Sequence, residues 1–218
     1  LNATIIQKDI YDDLFIENVL EIDSLTINKF LVGEVRGNNM LDPVTEYFNI
    51  DLTVDRLDNR IVDIEGYYDP DDAVSPLRAK AILDKANVRL IEPVVRGLFS
   101  QLDGTLTGEF DIRGTFSQPK IDGEAKLNDG QFMVDYLKTV YKVTGTVGLT
   151  QTEIQFKGFS LTDVFKNTAR LEGKISHRNF SRMNLVLNAS FTNFQVLNTN
   201  LKDNDVFYGQ AFGTGTLN

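Results

Sequence analysis

The sequence predicts an all-β chain, mostly antiparallel meander and strongly curved, with one short helix near residues 88–99. Three observations support this. Apolar and polar residues alternate without a break through 102–116, the same period of two recurs along most of the chain, and glycine falls repeatedly on the apolar side of that alternation. Strict alternation puts one apolar and one wetted face on a strand, whereas a helix would scatter the same residues around its circumference.

In chain order, Phe48, Ile50, Leu52 and Val54 alternate with Asn49, Asp51, Thr53 and Asp55. The run Asp55-Arg56-Leu57-Asp58-Asn59-Arg60 is a hairpin signal leading into a strand over 61–68. The acidic stretch Asp69-Pro70-Asp71-Asp72-Ala73-Val74-Ser75-Pro76 is the best candidate for a boundary or a structured crossing loop. Val88, Ile91, Val95, Leu98 and Phe99 follow helical spacing, although Pro93 limits regularity to two or three turns. In 102–116, Leu102, Gly104, Leu106, Gly108, Phe110, Ile112, Gly114 and Phe116 take every even place and polar residues every odd one.

Beyond it, Ile121, Gly123, Ala125 and Leu127 form the next apolar row, then Tyr141, Val143, Gly145, Val147 and Leu149. Weaker helical turns are expected at 161–167. Ala169, Leu171, Gly173 and Ile175 oppose Arg170, Glu172 and Lys174, and His177 falls in an expected polar hairpin turn. Leu185, Leu187, Ala189 and Phe191 follow, with Val186 off pattern, and Phe207, Gly209, Ala211, Gly213, Gly215 and Leu217 close the series. Glycine weakens a flat strand, so its repetition on one face indicates tight bending or close backbone approach. A barrel, a sandwich with sharp corners or an open trough would each want small residues there.

Composition removes several classes of chemistry. Among 218 residues there is no Cys, so there is no disulfide framework, no thiolate nucleophile and no Cys-based zinc or iron–sulfur site. His177 is the single imidazole, which excludes multi-His metal sites. No P-loop or dinucleotide fingerprint appears. Residues 1–100 carry 19 acidic and 10 basic side chains and residues 101–218 carry 12 of each, so the net charge of −9 belongs wholly to the first half. Neither half has a basic stripe, which argues against nucleic-acid binding and against docking on anionic headgroups. No apolar run is long enough to cross a bilayer. No signal peptide opens the chain and its last residues stop within an alternating pattern, so it is expected to be cut from a longer one.

Polar constellations favour ordinary roles. Glu109 and Asp111 share a face with Thr105, Thr107 and Arg113, as on a solvated sheet surface, and do not form a glycosidase pair. Asp69, Asp71 and Asp72, or Asn198, Asn200, Asp203 and Asp205, could hold Ca²⁺ but lack EF-hand spacing, and turn formation explains them. Ser181 lies near His177 without a nucleophile elbow around it. The chain is expected to be no enzyme and to carry no cofactor and no metal.

The segment Gly104–Leu127 carries a recognisable pattern, Gly-Thr-Leu-Thr-Gly-x-Phe-x-Ile-x-Gly-Thr-Phe-Ser-x-Pro-x-Ile-x-Gly-x-Ala-x-Leu, whose centre is Gly114–Leu127. It resembles the repeat of the TamB family, the inner-membrane-anchored subunit of the translocation and assembly module, related to AsmA-like proteins. The likeness covers 77–218 well and 1–76 in general character. It implies two segments, 1–76 and 77–218, of one continuous taco-like β-groove that is open on one side and lined with apolar side chains. It further implies a periplasmic location in a double-membrane bacterium, with membranes reached through regions outside this fragment. The implied role is carriage of phospholipid acyl chains toward the outer membrane. The alternative is a scaffold that pairs strand edges with the outer-membrane barrel protein of the assembly module.

Acyl chains suit such a groove because they need burial, about 0.8 kcal/mol per CH₂, and no fixed hydrogen bonds. The expected lining residues are Leu106, Phe110, Ile112, Phe116, Leu127, Val143, Val147, Phe156, Leu171, Ile175, Leu185, Leu187 and Phe191. On the residues alone, the same inward set would equally fill an ordinary closed core.

Overall fold

Each alternating stretch becomes a strand hydrogen-bonded to its neighbours in sequence. The computed structural model describes residues 2–8, 15–27, 29–178 and 181–217. They form β1 (Asn2–Lys8), β2 (Phe15–Ile27), β3 (Phe30–Leu41), β4 (Phe48–Arg56), β5 (Asn59–Tyr68), β6 (Leu77–Asn87), β7 (Phe99–Thr115), β8 (Gln118–Val134), β9 (Thr139–Leu149), β10 (Glu153–Thr162), β11 (Thr168–Arg178), β12 (Ser181–Thr199) and β13 (Gly209–Leu217). The strand order is β1 to β13 without a crossover, and β1 and β13 each have a single neighbour. The chain is therefore an all-β antiparallel sheet that is not closed.

The helix expected near 88–99 is much reduced. A single 3-10 turn covers Val88–Ile91, the one-turn α1 covers Glu92–Val95, and Phe99 already begins β7. Asn87 caps the first turn by accepting from the Arg89 amide at 2.9 Å. Arg96 then leaves helical geometry with ψ 133° and Gly97 takes φ +86°, so the apolar spacing never extends to a full helix. The helical turns expected at 161–167 are absent as well. Leu161 and Thr162 finish β10, and the Asp163 carboxylate accepts from the amides of Phe165 and Asn167, which folds 163–167 into a tight loop. His177 is a buried strand residue of β11 and stands before the turn. Phe116 has left β7 for the turn that joins it to β8, and Phe207 lies in the loop before β13.

Two compact units divide the chain: residues 1–86 with 107–123, and residues 87–106 with 124–218. In the first, the 55–60 hairpin forms as expected, with Leu57 and Asp58 both at positive φ, as a two-residue connection whose twist matches its strands requires. The acidic 69–76 loop connects β5 to β6, whose ends pair at Tyr68 and Leu77. Register aligns Val35, Val54, Val62 and Leu83 in one apolar row and Leu41, Phe48, Tyr68 and Leu77 in another. The opposite face sets Asp51 across from Glu65, with Lys80 bonded to Glu109 at 2.6 Å.

The second unit curls further. Strands β9 and β12 are not neighbours, yet the Tyr141 hydroxyl donates to the Gln195 carbonyl at 2.7 Å and the Asn198 amide donates to the Leu137 carbonyl at 2.9 Å. The sheet therefore bends until its fourth strand from β9 returns over the first. Val88, Leu127, Tyr141, Val143, Phe159, Leu161, Ala169 and Phe194 form the buried cluster inside the bend.

Glycine on the apolar face has a specific use here. A Cβ on Gly123 would stand 2.8 Å from Phe110 Cδ1, and one on Gly213 would stand 2.9 Å from Phe191 Cε2. A Cβ on Gly145 would meet the Phe159 ring. Gly145 and Gly213 leave a seat for a phenyl ring from the adjacent strand, and at Gly123 the Glu109 and Phe110 main chain itself comes close, as the repetition of glycine on one face indicates.

Candidate functional site

In the second unit, register sorts the apolar face into rows that become steadily more open along the strands. At one end Val143, Leu161 and Ala169 are buried beside half-buried Phe191. The middle row, Val147, Phe156, Gly173 and Leu187, is half-buried throughout. At the far end Leu149, Ile154 and Ile175 are half-buried and Leu185 is 56% exposed. The face is packed shut at the end where β12 returns to β9 and, among the described residues, is more open toward Leu185.

The shut end is held by polar groups with defined partners. The Asp163 carboxylate accepts from the Phe165 and Asn167 amides, from Asn167 Nδ2 and from the Gln195 amide. Burial alone would raise its pKa, but these donors together hold it below the usual carboxylate range, so Asp163 is an anion inside the fold. Tyr141 is pushed the other way by burial and keeps its proton for Gln195. Its ring stacks on Phe194 with centroids 4.8 Å apart.

The expected lining residues divide by place. Leu127 and Val143 belong to the buried cluster, and Leu106, Val147, Phe156, Leu171 and Phe191 pack against it. Ile175, Leu185 and Leu187 continue toward the open end. Phe110 and Ile112 are half-buried in the first unit, and Phe116 is 71% exposed in its turn, with its ring stacked on Tyr68.

Phe159, Leu161 and Phe194, central to the face, did not follow from the alternation. Bulges explain this. Pairing of β10 shifts between Phe156 and Phe159, where Gly158 takes φ +58°, and pairing of β12 shifts between Phe191 and Phe194, where Asn193 takes φ +48°. One extra residue reverses the parity of everything after it, so even-numbered inward residues give way to Phe159 and Leu161 in β10, and odd-numbered ones give way to Phe194 in β12. The signal available in the sequence was a Gly or Asn between two apolar residues spaced three apart.

Two shallow depressions lie among polar side chains, one of about 390 Å³ between Asp103, Asp129, Lys142 and Ser160, and one of about 550 Å³ among Glu65, Arg78, Lys80 and Asp111. The oxygen-rich loops make turns. Asp72 Oδ1 accepts from the Val74 and Ser75 amides, and Asn200 Oδ1 accepts from the Lys202 amide. Among the described residues no group of three His, Cys, Asp or Glu side chains is placed to hold a metal ion, and no helix is long and apolar enough to cross a membrane. No family model, curated protein or solved structure matches the chain.

Proposed function

We propose that the open end of the apolar face in the second unit receives lipid acyl chains, and that the protein is a periplasmic β-groove segment of TamB type carrying phospholipid between the inner and outer membranes. The supporting observation is the grading of these apolar rows, from buried Val143 through half-buried Phe156 and Ile175 to Leu185, which is 56% exposed. An exposed contiguous apolar surface on a folded chain marks a binding site, and a surface without a polar anchor suits a chain that must slide. The test is a photo-crosslinking amino acid at Ile175 or Leu185, with Lys174 on the opposite face as control, in a double-membrane bacterium expressing the protein. Phospholipid adducts are expected at the first two positions and not at Lys174. Adducts at none of them would overturn the reading.

A second reading, the assembly scaffold, draws on β13. Its residues Gly209–Leu217 contain no charge and no proline, so this edge lacks the usual guards against strand addition. Proline at Thr214 and Thr216 in turn would abolish co-purification of an outer-membrane barrel partner if the edge pairs with it. Unchanged co-purification would count against that reading.

A further inference from the structure

Three loops and one turn meet at the shut end of the second unit. The 135–138 loop joins β8 to β9, the 163–167 loop joins β10 to β11, and the 200–208 loop joins β12 to β13. In an antiparallel meander these alternate connections lie at the same end of the strands. The turn before β7 joins them, since the Asp135 amide donates to the Leu98 carbonyl at 3.1 Å. The Tyr136 and Phe207 rings touch edge to face at 5.5 Å, which joins the first and third loops, and Phe165 of the second touches Phe212 of β13 at 5.2 Å.

The tips of this cluster are apolar and face solvent. Leu98, Val164, Phe165, Leu201, Val206 and Tyr208 are each more than half exposed, Val206 at 84%. Loop tips are ordinarily polar, and the β9–β10 connection at the opposite end is Thr150-Gln151-Thr152. Charge on these loops balances: Arg96, Lys138, Lys166 and Lys202 stand against Asp135, Asp163, Asp203 and Asp205 in a chain of net charge −9.

We propose that this end of the second unit docks on a lipid bilayer by inserting these tips into the interfacial layer. Separate aliphatic and tyrosine tips on loops, interspersed with lysines whose stems can reach outward, match the headgroup boundary better than a flat protein surface. Balanced charge makes the attraction depend on apolar burial rather than on anionic lipid. Neutral phosphatidylcholine vesicles therefore suffice, and binding changes little between low and physiological salt. The inference is independent of acyl-chain carriage, because the tips lie outside the graded row.

The experiment is flotation of the whole chain with phosphatidylcholine vesicles, comparing the wild type with the triple variant Val164→Ser, Leu201→Ser and Val206→Ser. None of these side chains has a ring or hydrogen-bond partner to lose, and circular dichroism checks the fold. The wild type is expected to float and the variant to bind roughly tenfold more weakly or less. The chain has no Trp, so Tyr208→Trp and Gln151→Trp are single reporters of the two ends. The first is expected to shift to the blue on adding vesicles and the second is not. An Ile175→Arg variant, which blocks the graded row, is expected to float like the wild type. Absence of flotation, equal flotation of the triple variant, equal shifts from both reporters, or loss with Ile175→Arg alone would each overturn the proposal. So would tip-dependent dimerisation without vesicle binding.

Discussion

The Tyr141 hydroxyl reaches the main-chain carbonyl of Gln195, 54 residues away, at 2.7 Å. That bond, with the Tyr141–Phe194 stack, ties two strands that share no ladder and closes one end of the apolar face. Tyr141→Phe keeps the stack and leaves the carbonyl without its donor. It is expected to lower unfolding free energy by about 1–3 kcal/mol in urea titrations. Tyr141→Ala, which also removes the ring, is expected to cost about 3–5 kcal/mol.

Asp163 gives the closed end a pH dependence of fixed sign. Its folded pKa lies below the ordinary value because the Gln195, Asn167 and Phe165 donors outweigh burial. A depressed carboxylate contributes stability above its unfolded pKa and loses it as pH falls through the folded value. Melting temperature is therefore expected to fall below about pH 4 more steeply in the wild type than in Asp163→Asn. At neutral pH the variant melts lower, because a charged acceptor of several hydrogen bonds has been replaced by a neutral one. Parallel curves would refute the assignment.

Two glycines separate space from conformation. Gly158 is open, with nothing within 4 Å of an added Cβ, but holds φ +58° in the β10 bulge. Gly158→Ala is expected to cost about 1 kcal/mol through backbone strain alone, and Gly158→Asn less. Gly145 has no room because the Phe159 ring occupies the place of a side chain. Gly145→Ala is expected to cost about 1–3 kcal/mol, partly recovered by Phe159→Leu in a double-mutant cycle. Additive costs would mean that the ring and the glycine do not share that space.

Stability and binding should separate along the graded row. Leu161, buried in the cluster, is expected to cost about 2–5 kcal/mol as Leu161→Ala. Leu185, 56% exposed, is expected to change stability by under about 0.5 kcal/mol as Leu185→Arg. The same Leu185→Arg is expected to abolish phospholipid crosslinking at Ile175, its direct cross-strand partner. Crosslinking that survives the arginine would move the acyl path away from this end.

Alternation made the strands legible because each keeps one face toward apolar neighbours, and that constraint acts on every second residue. It made Val143, Phe156, Leu171 and Phe191 legible for the same reason. Phe159, Leu161 and Phe194 were hidden because Gly158 and Asn193 each add a residue and reverse the parity. Phe116 departs from the expected face because a turn ends the strand just before it, and a period of two contains no information about where a strand stops. The 88–99 stretch has helical spacing, yet Gly97 and the extended Arg96 end it after two single turns. The Tyr141–Gln195 tie and the apolar tips depend on how the sheet curls, which no local window of sequence records.

The strand order has a kinetic consequence. Every ladder joins sequence neighbours, so each pairing closes only a short loop and assembly can proceed strand by strand as the chain emerges. The tie between β9 and β12, made by the Tyr141–Gln195 and Asn198–Leu137 bonds, closes only after β9, β10, β11 and much of β12 are in place. It should therefore form late in folding and open early in unfolding. In pulse-labelling hydrogen exchange, the Asn198 amide, which donates to the Leu137 carbonyl across the same closure, is expected to gain protection after the amides of β10 and β11.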